Sequence, residues 1–396
     1  MHSRNERVLI VGAGIAGPTL AYWLRHYGFT PTLIERAPTL RTGGYLIDFW
    51  GRGYEVAERM GILPLLEQDG YRTEEVRIVD DRGRRVAGFG VDILRVATGN
   101  RFFSLPRGDL ARRLYQSVES EIETCFGETI TSISEASAGV SVTFANGEQR
   151  RFDLVVGADG LHSAVRALRF GDETQFERYL GYYTAAFTAT DYPHRTEGDY
   201  VGYSVPGGQI ARYALRDGRS AFFFVFAEPS VLKVSHTDTA AQKRALHERF
   251  HGRGWECDLI LETLDRATDL YFDTVSQIHL PHWSRGRVAL VGDAAYAPSL
   301  LAGEGAGLAM TGAYVLANAL HRAAGDHQIA FREYEQRFRS FVEAKQHGAT
   351  RLGWWFAPRS RLGIRLRNLT TNMLVLPPIA TRFATRAFAD QFELPA

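Results

Sequence analysis

Apolar residues without polar alternation mark the start of the chain. Residues 7–11 (Arg-Val-Leu-Ile-Val) predict a parallel strand buried on both faces. A glycine-rich turn follows, then a helical pattern to about Tyr27 and a second strand over 30–34. Pro31 places the first residues of that strand at a strand start or a sheet edge. Together these form a βαβ unit. At Val140, Val142 and Phe144 the period changes to two, Asn146-Gly147 makes a hairpin turn, and a return strand ends in Leu154-Val155-Val156. Residues 200–205, 209–215 and 219–227 predict an antiparallel meander turning at 206–208 and 216–218. Over 328–347, Phe331, Tyr334, Phe338, Phe341 and Val342 share one helical stripe.

Composition narrows the class. The 396 residues are 45% hydrophobic, enough for two or three domains with large cores. Lys+Arg 46 against Asp+Glu 45 gives +1, so no global charge draws the chain to nucleic acid. Cys125 and Cys257 form neither a disulfide framework nor a metal-ligand spacing, which suits a reduced, cytoplasmic setting. No metal site is expected. The uncharged stretch from Val8 to Leu24 contains three glycines and Pro18, so a strand, a turn and a helix explain it better than a signal or membrane helix. Twelve of the 48 residues from Tyr179 to Phe226 are aromatic, about twice the chain average of 12%, so the meander should face an apolar ligand or another domain.

Gly12-Ala13-Gly14-Ile15-Ala16-Gly17 fits G-x-G-x-x-G between the first strand and its helix. Gly12 permits the tight turn, Gly14 lets a pyrophosphate approach the backbone, and Gly17 lets helix and strand pack closely. The helix N-terminus then offers free N–H groups to phosphate. Glu35 ends the second strand, where a carboxylate accepts from ribose hydroxyls and repels a 2′-phosphate. The loop therefore suits FAD or NAD(H) and does not choose between them. Arg36 can stack on or pair with the adenosine end.

Two further motifs follow strands: Gly157-Ala158-Asp159-Gly160 with Ser163 and Arg166, and Gly292-Asp293-Ala294-Ala295. With all three in order, the chain resembles the class A flavoprotein aromatic hydroxylases, the para-hydroxybenzoate hydroxylase-like family, including tetracycline-inactivating and polyketide-tailoring members. The resemblance implies an α/β fold. A Rossmann-like FAD-binding domain would comprise 1–75, 101–178 and 280–327. A mostly antiparallel substrate domain would comprise 76–100 and 179–279, and a helical bracing segment 328–396. Asp293 can accept from the ribityl chain, and Pro298, Gly303, Gly305 and Ala306 lead to a helix from about Leu308 facing the flavin's pyrimidine edge. Asp159 and Arg166 read either as contacts to FAD pyrophosphate and nicotinamide or as a turn with a surface ion pair. Arg41 and Asp48 lie, one residue out of register, where tetracycline-inactivating members place flavin contacts. Arg107 resembles the family's FAD-contacting arginine. The chain departs from the family pattern at Tyr296, usually His, and at Ser299, usually a second proline; both are expected to border the flavin's reactive face.

The family's chemistry implies bound FAD, NADPH or NADH as a transient co-substrate, and molecular oxygen delivered through a flavin C4a-hydroperoxide to an aromatic or polycyclic small molecule. No catalytic dyad is required. Tyr203, Arg212, Tyr213 and Phe224 are candidate pocket residues, with sheet packing as the plain alternative. The basic C-terminal segment either braces the domains, the favoured reading because Pro377-Pro378 interrupts it, or meets a membrane surface. No nucleic acid or membrane partner is expected, and oligomeric state is open. Competing readings are a ligand-binding flavoprotein without turnover and a flavin-dependent halogenase, whose W-x-W-x-I-P motif is absent.

Overall fold

The computed structural model describes residues 6–40, 45–350, 352–375 and 392–396. Its first sheet orders six strands as Ser284–Arg285, Val288–Leu290, Leu154–Gly157, Arg7–Val11, Thr30–Glu35 and Glu123–Phe126. All its pairs are parallel except the 284–290 hairpin. Val8, Leu9, Ile10, Leu154, Val155 and Val156 are fully buried, as strands covered on both faces require. Pro31 pairs with Val8 on one side, and pairing on the other side begins only at Thr32, so its missing N–H costs no ladder bond.

The second sheet has seven strands, ordered Tyr271–Ile278, Glu177–Thr190, Arg219–Ala227, Gly208–Ala214, Asp199–Val205, Glu75–Val79 and Arg85–Gly90. It is antiparallel except where the 199–205 strand meets the 75–79 strand. Helices Thr239–Phe250 and Cys257–Arg266 supply Leu246, Phe250, Ile260, Leu261 and Leu264 to the core on one of its faces. A separate two-stranded antiparallel sheet pairs Leu46–Trp50 with Phe102–Pro106 and shares the first sheet's core through Ile47, Phe49, Phe103 and Leu105.

The helix Gly305–Arg322 is buried from Leu308 to Leu320 and packs against Ala16–His26 and Gly51–Arg59. A Cβ on Gly53 would lie 2.5 Å from the Gly307 Cα, so two backbones touch there. The helix His327–Ala349 covers the first domain with the apolar stripe read from the sequence; Ile278 O, in the second sheet, accepts from Gln346 Nε2 at 2.8 Å. The last residues return to the same core, where Phe392 stacks on Phe341 at 5.1 Å. The helix Arg361–Met373 packs on the second sheet, donating from Asn372 to Val86 O at 3.1 Å and accepting from Gly88 N at 3.2 Å. Arg367, in this basic segment, is fully buried. Pro377 and Pro378 lie outside the described residues, and among the described residues no helix is long and apolar enough to cross a membrane.

His162 joins the two sheets. Its Nε2 lies 3.1 Å from Asp273 Oδ1 in the second sheet, and its Nδ1 lies 2.8 Å from Glu173 Oε1. Asp273 first, then Glu173, holds the imidazolium and raises its pKa to about 10. Because the folded pKa exceeds the unfolded one, this stabilisation is complete below about pH 6.5 and declines toward pH 10. In His162→Gln, the fall in Tm between pH 6.5 and 10 should flatten; an unchanged slope contradicts the bridge. Gly53→Ala should force two helices apart and cost about 1–3 kcal/mol in urea unfolding; no loss would contradict the backbone contact.

Candidate functional site

The glycine loop is shaped by packing at two of its three glycines. Gly12 has φ +108°, and a Cβ there would lie 2.5 Å from Ala158 O. A Cβ on Gly17 would lie 1.9 Å from Gly12 O. Gly14 differs: its Cβ would meet only Arg107 Nη2, at 3.8 Å. Among the described residues nothing else crowds that position, which leaves the backbone open to a ligand. The helix Ala16–His26 begins at Ile15 with no side-chain cap and no acid in its first turn, leaving its N–H groups for a ligand. Glu35 stands at the mouth of the loop, its carboxylate fixed by Ala13 N and Ala37 N, each at 2.9 Å. Lone pairs remain on it for ribose hydroxyls. Arg36 is exposed beside it, and Arg41 lies outside the described residues.

Arg107 opens the helix Arg107–Gln116, and its amide donates to Tyr45 O at 3.0 Å. Its guanidinium stands beside the loop, 3.8 Å from where a Gly14 Cβ would be, and within electrostatic reach of Asp293. That carboxyl is raised by burial, opposed by the Arg107 charge and reinforced by Asp273. Asp293 follows Gly292 at φ +66° and lies 3.9 Å from where a Gly305 Cβ would be. Gly303 is left-handed, with open space around its Cβ direction. The helix opens at Gly305, earlier than the expected Leu308, because Ala306 and Gly307 already pack as its first turn. It too starts without a side-chain cap or first-turn acid. Asp48 lines the same groove, accepting from Ser104 Oγ at 2.6 Å, while its deep setting raises its carboxyl. A carboxylate, an uncapped helix start, an arginine, a second carboxylate and a second uncapped helix start thus follow one another along a single groove. The donor set fits FAD in kind: carboxylates suit sugar hydroxyls, and uncapped helix starts with a guanidinium suit phosphate and a charged ring.

Asp159 serves the protein. It accepts from Ser163 Oγ at 2.5 Å and Val165 N at 3.1 Å, fixing the start of the Ala164–Arg169 helix. Burial pushes its carboxyl up. Arg166, fully buried, donates to Ala294 O at 2.9 Å and Glu173 Oε2 at 2.6 Å, locking the second motif to the third. The surface ion pair considered from sequence is therefore an internal cross-link. Pro298 contributes its carbonyl, which accepts from Gln277 Nε2 at 3.0 Å. Tyr296, expected beside the reactive ring, instead points into the core between Trp283 at 4.6 Å and Tyr334. Ser299 has φ +95°, which a proline ring, fixed near −65°, cannot adopt.

Three of the four candidate pocket residues face away from the groove. Tyr203 donates to Arg253 O at 2.7 Å, Arg212 pairs with Glu256 at 2.8 Å, and Phe224 packs on Phe250 at 5.5 Å, all beneath the 239–266 helices. Strand alternation is the reason: Arg212 and Tyr213 are neighbours, so they cannot share a face. Tyr213 takes the opposite face, edge-on to Tyr71 at 5.7 Å. That face carries residues missed from sequence. Phe223 lies 6.2 Å from Tyr45 and 6.4 Å from Phe356, and Tyr271 lies 5.6 Å from Tyr45. Burial pushes the Tyr45 phenol to about 12, with Arg107 opposing and Asp293 adding. These side chains hang over the groove between Arg107 and Asp293.

Comparison with known proteins agrees with this geometry. Residues 5–344 match the family described as "FAD binding domain". The chain is 36% identical over 344 residues to a flavin-dependent monooxygenase of an unknown prokaryotic organism, covering 86% of this chain and 88% of the relative. It is 35% identical to a flavin-dependent monooxygenase of Legionella longbeachae, covering 87% and 88%. The crystal structure of tetracycline destructase Tet(55) superposes with TM-score 0.84 at 33% identity, covering 100% of both chains. An HpxO variant of Klebsiella pneumoniae complexed with FAD shares the fold at TM-score 0.80 and 23% identity, covering 96% of this chain and 98% of that one. The chain belongs to the FAD-binding family of class A flavoprotein monooxygenases.

Proposed function

We propose that this monooxygenase consumes NADPH or NADH and hydroxylates an aromatic or polyketide-like small molecule held between the groove and the second sheet. The observation that carries the reading is the aromatic face of Tyr45, Phe223, Tyr271 and Phe356 meeting the groove beside Asp293. Bound FAD supplies the activation of oxygen. The chain's own residues then have three tasks. Glu35, Gly14 and Arg107 hold the nucleotide end. Asp293 and the N–H groups of residues 303–306 hold the ring end, where negative charge develops on reduction. The aromatic face excludes water and orients the substrate. The similarity to tetracycline destructases makes tetracycline the first substrate to test. A cytoplasmic setting is supported by two thiols left unpaired, with burial pushing Cys257 to about 12.

Purified protein should be yellow, and Gly14→Val should lose most of its 450 nm absorbance while staying folded, because its Cβ meets only the tip of Arg107. Full retention of FAD in that variant would contradict the placement of the pyrophosphate. NADPH oxidation by the holoenzyme should rise at least tenfold on adding tetracycline, with oxygenated product detected by mass. Oxidation unaffected by tetracycline and by a panel of polycyclic phenols would leave a flavoprotein that binds without turnover.

A further inference from the structure

Two imidazoles converge on one carboxylate where the two sheets meet. Asp273 stands on the strand Tyr271–Ile278 and is 8% exposed. Its Oδ1 lies 3.1 Å from His162 Nε2 and 4.0 Å from His236 Nδ1. The two rings lie 4.3 Å apart between centroids, inclined at 52°. One nitrogen from each ring and one carboxylate oxygen all fall within 4.8 Å of one another. Among the described residues, no other group of three or more His, Cys, Asp or Glu side chains is close enough to share an ion. Positions 162, 236 and 273 are far apart in the chain, so the sequence shows no metal-ligand spacing.

The surroundings hold each of the three in place. His162 Nδ1 lies 2.8 Å from Glu173 Oε1, and the other Glu173 oxygen accepts from Arg166 at 2.6 Å. A carboxylate behind Nδ1 keeps a proton on that nitrogen and turns the Nε2 lone pair toward Asp273. Asp273 Oδ1 accepts from Thr274 N at 2.8 Å. His236 lies in the loop before the helix Thr239–Phe250, and its side chain is 60% exposed. The main chain beneath it is nevertheless fixed, because buried Gln242 donates to the carbonyls of Ser235 and His236, each at 3.0 Å. With its proton on Nδ1, His162 sets a lone pair against a carboxylate oxygen, and something positive must stand between them. A proton does so in the imidazolium. A metal ion does so as well, and recruits the second imidazole.

We propose that His162, His236 and Asp273 form a binding site for a divalent first-row transition metal, of which Zn2+ is the redox-inert example. His162 Nε2, His236 Nδ1 and one Asp273 oxygen supply three ligands, and a fourth position stays open to water. On binding, the His162 Nε2–H bond breaks, the proton leaves to solvent, and the freed lone pair forms the bond to the ion. Ligand atoms around a four-coordinate zinc lie about 3.3 Å apart, so the His162–Asp273 spacing already suits it and exposed His236 closes in by about 1 Å. Two imidazoles select zinc, cobalt or nickel over magnesium and calcium, which take oxygen ligands. The ion ties together the loop that follows the Leu154–Gly157 strand, the second sheet and the loop before the 239–250 helix. Tyr271 and Asp273 share a face by alternation, and Tyr271 packs on Tyr45, so the ion stands on the groove side of the second sheet. The site goes beyond the hydroxylation reading and does not depend on it.

Binding and stability test the site without turnover. The FAD-loaded protein, stripped of metal with a chelator and exchanged into chelator-free buffer, is titrated calorimetrically with ZnCl2 and with MgCl2 at pH 7.5. One Zn2+ should bind per chain, at least tenfold more tightly than Mg2+. Saturating Zn2+ should raise Tm by about 3 °C. X-ray absorption at the zinc edge should count two imidazoles. His236→Ala should lose at least tenfold in Zn2+ affinity and most of the Tm gain, while its metal-free Tm stays unchanged because the side chain removed is exposed. His251→Ala, which removes an exposed imidazole paired with Asp258, should keep both. No Zn2+ binding, Mg2+ binding as tight as Zn2+, a single imidazole, wild-type Zn2+ affinity in His236→Ala, or an equal loss in His251→Ala overturns the site.

Discussion

Everything in the site depends on one close approach of backbones. Gly12 runs against residues 158 and 159, Gly17 against Gly12, and Gly292 against Ala16. A side chain at any of these contacts separates the first strand, its helix and the third motif. With them closed, the starts of the 16–26 and 305–322 helices open into one groove, both without a cap. Their N–H groups and dipole ends then supply positive potential without a mobile cation. Main chain thus supplies much of the groove's capacity for an anionic ligand, with few side chains along it.

Those few are held by desolvation. Burial raises the carboxyls of Asp48 and Asp293 and the phenol of Tyr45, and the Arg107 charge offsets part of this at Asp293 and Tyr45. A dry, weakly charged surround of this kind strengthens hydrogen bonds to a ligand and keeps water from the ring. Arg166 and His162 carry the opposite load at the back, tying the second motif to the third and to the second sheet. The two sheets are thus linked by internal charge pairing at His162 and Asp273.

The βαβ unit, the meander and the amphipathic 327–349 helix were legible because their periods are strong and local. The glycine loop with Glu35 was legible because its spacing encodes backbone geometry. What stayed hidden has a common cause. In the 199–227 meander both faces carry aromatics, so periodicity shows strands without showing which face meets the groove; Arg212 and Tyr213, one residue apart, point to opposite faces. Asp159 looked like a ligand contact and is a helix-start anchor, since both uses place an acid after a strand. Tyr296 looked adjacent to the ring by motif position, but the short 293–296 turn aims it at Trp283 and Tyr334. The burial of Arg367 is not legible locally, because its helix lies on a strand distant in sequence.

The central claim is that two helix starts far apart in sequence grip one cofactor. Hydrogen–deuterium exchange of the apoprotein, with and without FAD, tests it most directly. FAD should protect the amides of residues 13–17 and 303–308 together, at matching concentrations. Protection at one helix start alone, or at neither, would contradict the account.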